Sequence, residues 1–208
     1  MRNLFAFVSL ATAALTGEMV AAAPAEAWQI GPVIRGRNYS VGMPATLQPG
    51  PDGPWFAFPP AGEGHVHYIS LVTGPLQGAK RITLRYRIDA SRDTRFVAQE
   101  SQSTGKVGLA LHRTGDNWSA RGRYEAYRWY SPIFVPIKPG INTLSVSLDD
   151  PAWGAVMTST GRTNPKAFAE TLANTEAVSV TFGGDGGRGH GVYATKSARF
   201  TILDFRVD

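Results

Sequence analysis

Cysteine is absent from all 208 residues. Its absence removes disulfides, thiolate metal sites and cysteine nucleophiles together. The chain must therefore rest on its own core, and 43% hydrophobic residues are enough to build one at this length. Acidic side chains are also scarce, with 16 Asp+Glu against 21 Lys+Arg and a net charge of +5. The basic residues are dispersed and form no run of five or more, so no nucleic-acid partner is expected. The surplus suits an acidic polysaccharide and equally serves solubility. No G-x-S-x-G elbow and no G-K-[ST] phosphate loop occurs, which leaves the common acyl-enzyme and nucleotide signatures unsupported.

Long apolar runs are missing as well. The longest candidate, Leu4 to Thr16, follows Arg2 and stops short of the length needed for a bilayer core of about 30 Å. A small-residue zone ends in Ala25-Glu26-Ala27 before Trp28, an A-x-A cleavage pattern. Residues 1–27 are thus expected to be a signal peptide and residues 28–208 a single secreted or periplasmic domain with no integral membrane segment. Ala21-Ala22-Ala23 is a second cleavage candidate, disfavoured by Pro24. Losing Arg2, Glu18 and Glu26 with the signal would raise the net charge from +5 to +6. Two N-x-S sequons, at Asn38 and Asn117, matter only in a eukaryotic secretory pathway.

What is abundant is period-two alternation. Ile82, Leu84, Tyr86 and Ile88 alternate with Arg81, Thr83, Arg85 and Arg87, the pattern of a half-buried strand with a basic outer face. Val107-Leu109-Leu111, Leu144-Val146-Leu148 and Val178-Val180-Phe182 repeat it. Further strands are expected at Val66–Val72, Arg95–Ala98, Tyr124–Tyr130 and Arg199–Val207, with a weaker one at Trp55–Phe58. Glycine and proline breakers separate them, and Gly31–Pro54 reads as a long irregular lead-in. One helix is expected near 164–174, with Asn164 as N-cap, Pro165 at the first position and Phe168 and Leu172 on one face.

Many short strands between turn signals predict an all-β chain, a two-sheet antiparallel sandwich of the jelly-roll kind with one short helix. The lead into one strand, Leu76-Gln77-Gly78-Ala79-Lys80-Arg81-Ile82-Thr83-Leu84, and the closing strand Ala198–Val207 carry a resemblance. From Val66 to Val207 the pattern resembles the galactose-binding-like jelly rolls that include many carbohydrate-binding modules. That resemblance implies a sandwich and glycan recognition. Modules of that class often hold a structural calcium near an N-terminal acidic cluster; only Asp52 and Glu63 stand in that region, so the ion is not carried over. No cofactor and no metal are expected.

The densest functional signal lies between Trp118 and Tyr130, where five aromatics (Trp118, Tyr124, Tyr127, Trp129, Tyr130) accompany Arg121, Arg123 and Arg128. Were Tyr124–Tyr130 a strand, Tyr124, Arg128 and Tyr130 would share one face and Glu125, Tyr127 and Trp129 the other. The plain reading puts Tyr127 and Trp129 in the core. The functional reading makes Trp118, Tyr124, Arg128 and Tyr130 a platform for a sugar, with Arg188 and His190 at its rim. Each ring covering roughly 80 Å² of sugar would contribute about 2 kcal/mol, for millimolar to tens-of-micromolar affinity after association costs.

Other constellations are weaker. Gly184-Asp185-Gly186-Gly187-Arg188-Gly189 matches G-x-G-x-x-G, but a strand follows it where a dinucleotide site needs a helix. It reads as a flexible connection or as a rim loop using Asp185, Arg188 and His190. His65 and His67 share a strand face, yet no glutamate follows within Tyr68 to Val72 to complete a cupin-like metal set. Asp149 and Asp150 are adjacent and precede Pro151, a turn rather than a facing carboxylate pair. Three functions remain open: a non-catalytic module for a glycan, acidic or neutral; a jelly-roll polysaccharide lyase moving protons with tyrosine and histidine beside an arginine; and an envelope interaction protein without a small ligand.

Overall fold

The computed structural model describes residues 23–186 and 188–208. Most of the expected signal peptide, residues 1–22, lies outside them. Fifteen strands follow one another along these residues. The first five are β1 (Trp28–Gly31), β2 (Val33–Ile34), β3 (Arg37–Asn38), β4 (Trp55–Ala57) and β5 (Tyr68–Val72). Next come β6 (Arg81–Ala90), β7 (Phe96–Ala98), β8 (Lys106–Arg113), β9 (Arg128–Tyr130) and β10 (Val135–Pro136). The last are β11 (Gly140–Ser147), β12 (Gly154–Ala155), β13 (Thr175–Gly183), β14 (Val192–Ala194) and β15 (Ala198–Val207), with helix α1 (Pro165–Ala173) between β12 and β13.

Two sheets face each other. The larger has seven strands in the order β1-β5-β13-β8-β9-β12, with β10 also on β8; the smaller has four, β11-β6-β15-β4. Every pairing between these strands is antiparallel. The expected all-β two-sheet sandwich with one short helix is therefore what forms. Its core is built from the inward halves of the alternations: Ile82, Leu84, Tyr86 and Ile88 from one sheet meet Leu109, Leu111, Val178 and Val180 from the other. Aromatic contacts cross the gap, with Phe182 at 5.4 Å from Phe200 and Trp28 at 5.2 Å from Phe205, both edge-on.

Strand β15 shows how phase is kept over ten residues. Its register against β6 shifts between Ile202 and Asp204. The extra residue is a bulge, and it re-aims Phe205 inward where strict alternation would have sent Asp204. Helix α1 begins as expected: Asn164 Oδ1 accepts from Ala167 N at 3.3 Å and Pro165 follows it. Its Phe168 packs 4.9 Å from Trp129 and 6.0 Å from Trp153, closing one end of the core.

Three expectations change. The strand foreseen over Tyr124–Tyr130 is only Arg128–Tyr130, because Gly122–Tyr124 winds into a 3-10 turn and Trp118 and Ala120 take left-handed φ values of 65° and 49°. The Val66–Val72 strand begins at Tyr68, with Val66 bridging separately to Val192. The lead-in Gly31–Pro54 contains a hairpin, β2–β3, whose two-residue turn Arg35-Gly36 has φ of 51° and 77°. Positive φ at both centres matches the twist of a two-residue hairpin, a signal present in the sequence.

Candidate functional site: the covered face of the larger sheet

Strands β8 and β13 are buried on both sides, although their sequences alternate. Their inward residues fill the core; the outward ones lie beneath loops. On that outer face β5 supplies Tyr68 and Ser70, β13 Ser179 and Thr181, β8 Ala110 and His112, and β9 Arg128 and Tyr130. Tyr68, Ala110 and Tyr130 form a second apolar cluster, on which Trp118, Phe134 and Val156 pack. Polar groups covered in this way need partners, and here they form a chain. Ser70 Oγ lies 2.6 Å from Ser179 Oγ, and Ser179 Oγ lies 2.8 Å from His112 Nε2. His112 Nδ1 reaches Asp116 Oδ2 at 3.4 Å, and Arg128 Nη1 donates to the same oxygen at 3.1 Å.

Charge states fix the direction of that chain. Burial pushes the His112 pKa below 6.5 and outweighs the upward pull of Asp116, so the imidazole is neutral at pH 7. Burial alone would raise Asp116, but the His112 hydrogen bond, the Arg128 charge and the Trp118 N–H outweigh it, and its carboxyl sits below the usual range. His112 therefore donates from Nδ1 to Asp116 and accepts at Nε2 from Ser179, which in turn accepts from Ser70. The order is that of a serine-histidine-aspartate triad. Ser179, however, is 0% exposed, so no substrate atom reaches its oxygen. The chain acts as a latch: Asp116 Oδ1 accepts from Trp118 N at 3.0 Å and holds the 114–120 loop against the sheet. Ser70, His112 and Asp116 border a cavity of about 250 Å³ on one side of Trp118.

On the other side of Trp118 lies a pocket of about 240 Å³. Trp118, Arg128 and Tyr130 form one wall, the hairpin residues Ile34 and Tyr39 another, and Arg188, Gly189 and His190 a third, with His67 and Tyr68 at the floor. Trp118 is wedged edge-on against Tyr68 at 5.2 Å, and the Arg128 guanidinium covers it at 4.3 Å. Tyr68 and Tyr130 share a hydrogen bond of 2.9 Å between their hydroxyls, and Gly189 N donates to Tyr68 Oη at 3.2 Å. Gly189 has to be glycine: a Cβ there would stand 2.4 Å from Tyr68 Cε2. His67 Nδ1 donates to the Gly189 carbonyl at 2.7 Å, which pins the glycine-rich loop from below. Burial, with help from the His65 charge, lowers the His67 pKa to about 4; burial and Tyr130 push the Tyr68 phenol well above 10.

Five of the six residues singled out in the sequence, Trp118, Arg128, Tyr130, Arg188 and His190, meet in this pocket. Tyr124 does not. It sits in the 3-10 turn, edge-on to Tyr127 at 5.1 Å and beneath Arg123, whose Nη2 donates to its hydroxyl at 2.6 Å. Nor do the rings make an open platform: Trp129 is core, Tyr130 is 7% exposed and Trp118 is half-buried. They are walls. His65 and His67 have ring centroids 4.7 Å apart, and among the described residues no group of three or more His, Cys, Asp or Glu is placed to hold a metal. Sequence reasoning missed Tyr39, Tyr68 and the latch. Their signal was the chemistry of the outward positions on β5, β8 and β13, which are small or uncharged where a solvated face would carry charge.

A scan against protein-family models and a search of curated proteins find no match. Among solved structures the chain is similar to a mutant Xylanase10C from Cellvibrio japonicus in complex with xylopentaose, at 13% identity and a TM-score of 0.40. The similarity covers 88% of this chain and 28% of that one. Likeness of that degree establishes neither a shared fold nor a shared activity. The all-β sandwich itself is compatible with a carbohydrate-binding fold.

Proposed function

We propose that the protein is an exported, non-catalytic carbohydrate-binding module that encloses one sugar residue in the pocket between Trp118 and Arg188. The observation that carries this reading is convergence. Residues from the 118–130 segment, the glycine-rich loop, the β2–β3 hairpin and the start of β5 meet around one cavity with aromatic walls and polar tips. At about 240 Å³ it is smaller than the roughly 300–1,000 Å³ typical of drug-sized ligands. The end or a branch of a glycan fits better than the flat side of a polymer.

The alternative of a lyase needs a tyrosine or histidine that exchanges protons in the site. Tyr68 is held protonated far into the alkaline range, and Nε2 of His67 is buried beside Gly191. Neither of these two floor residues is placed to accept a proton from a substrate; a lyase would have to use Tyr39, Tyr130 or His190 on the walls. Export is supported by Arg2, the Leu4–Thr16 run and the A-x-A pattern before Trp28. N-terminal sequencing of the protein from a bacterial periplasm or medium tests it, with Trp28 expected first.

A glycan array followed by calorimetric titration tests the binding reading. Trp118→Ala is expected to weaken the selected glycan by about 2 kcal/mol, roughly thirtyfold. No glycan retained on the array, or affinity unchanged from the parent protein in both Trp118→Ala and Tyr39→Ala, would end this proposal.

A further inference from the structure

Among the described residues the pocket is lined by arginines and histidines and by no carboxylate: Arg128, Arg188, His67 and His190 border it, and no aspartate or glutamate does. These four are not equivalent. Arg128 is already neutralised, since its partner Asp116 and its own side chain are each 5% exposed and lie 3.1 Å apart. His67 is held neutral by burial. His190 lies 3.4 Å from Glu100, which balances it when protonated. Arg188 is different. Among the described residues its Nη2 donates to the Met157 carbonyl, at 3.3 Å, and its guanidinium carbon stands 6.0 Å from the Tyr130 ring centroid. No carboxylate of the described residues lies within the 4.0 Å of an ion pair. Among the described residues, Arg188 is thus the cation of this pocket without a counter-charge. Across the mouth, the hairpin adds Arg35 and Arg37 beside a shallow concavity shared with Tyr39 and Trp118.

We infer that the sugar held here carries a carboxylate: the ligand is a hexuronate residue at the end or a branch of an acidic polysaccharide, with Arg188 taking its carboxyl group. This rests on the glycan reading above and names the substrate class for the same pocket. A guanidinium presents paired N–H groups that match the two oxygens of a carboxylate. One uncompensated positive charge calls for one negative charge, which a uronate supplies and a doubly charged phosphate monoester exceeds. The aromatic walls take the apolar face of the ring, and Arg35 and Arg37 draw an acidic chain towards the mouth.

The test compares matched probes by calorimetric titration: tetragalacturonate and tetramannuronate, the methyl ester of each, xylotetraose, and a sulfated oligogalactan without uronate. At least one free uronate is expected to bind about tenfold or more tightly than its own methyl ester. That gap should close in Arg188→Gln and persist in part in Arg188→Lys, with thermal melts confirming that both variants fold. Equal binding of acid and ester, a gap that survives Arg188→Gln, or stronger binding of xylotetraose or the sulfated oligomer overturns the uronate assignment and leaves glycan binding standing. Binding of none of the probes, together with an empty glycan array, removes both.

Discussion

Strands β6 and β8 alternate in the same way, yet the outward side chains of β6 stand in water and those of β8 lie under loops. On β6 the outward positions are Arg81, Thr83, Arg85, Arg87 and Asp89, with Arg87 paired to Asp52 at 3.0 Å and to Asp89 at 2.9 Å. On β8 they are Gly108, Ala110 and His112. Period two tells which side chains meet the core; it is silent about the other face. The residue types there are what distinguish a solvated face from a covered one. Gly108 illustrates this, since a Cβ would stand 2.3 Å from Phe134, which packs on it.

The sharpest way to break this contrast is to place the same charge on both faces. Ala110→Asp buries a carboxylate between Tyr68 and Tyr130 and should cost more than about 3 kcal/mol in urea unfolding, whereas Arg85→Glu on β6 should stay within about 0.5 kcal/mol. Comparable losses would mean the larger sheet's outer face is open.

Acid offers the next largest effect. The folded pKa of His67 is about 4 and that of His112 also lies below the unfolded value of 6.5. Below pH 6.5 the unfolded chain therefore binds more protons than the folded one, and stability falls as pH drops towards 4. His67 alone accounts for up to about 3 kcal/mol of this loss. His67→Gln should flatten the dependence of melting temperature on pH between 6.5 and 4. Hydrogen exchange should quicken in β5 and β13 before β6 and β15; the reverse order would place the acid-sensitive element in the smaller sheet.

Gly189→Ala drives a methyl group into the Tyr68 ring and the His67 carbonyl and should cost about 1–3 kcal/mol, with loss of ligand binding. Gly62→Ala, at a position with open space but a φ of 83°, should cost less, about 1 kcal/mol, and leave binding intact. Melting curves and titrations of the two variants measure the difference.

The sandwich was legible because Ile82 to Ile88, Leu144 to Leu148 and Val178 to Phe182 carry their phase locally. The short β9 was not, because left-handed Trp118 and Ala120 and the 3-10 turn at Gly122–Tyr124 break a segment whose aromatic and arginine residues alternate as a strand's would. The pocket was legible in part. Arg188 and His190 follow a run of glycines that invites close approach, and Trp118 and Tyr130 stand out by their density. Tyr68 was hidden because it reaches Tyr130 only through the order β5-β13-β8-β9, which pairs segments more than a hundred residues apart. Ser179 and His112, which only the pairing of β13 with β8 brings together, were hidden in a similar way.

The bulge near Leu203 sets the phase of everything after it. Were Leu203 drawn into the ladder opposite Arg85 instead of standing as the extra residue, Asp204 and Arg206 would turn towards the interior and Phe205 and Val207 would be expelled. Phe205 is the ring against which Trp28 rests, so a one-residue slip in β15 would unseat β1 on the opposite sheet. Strands β1 and β15 are in this sense fastened by a single spacer.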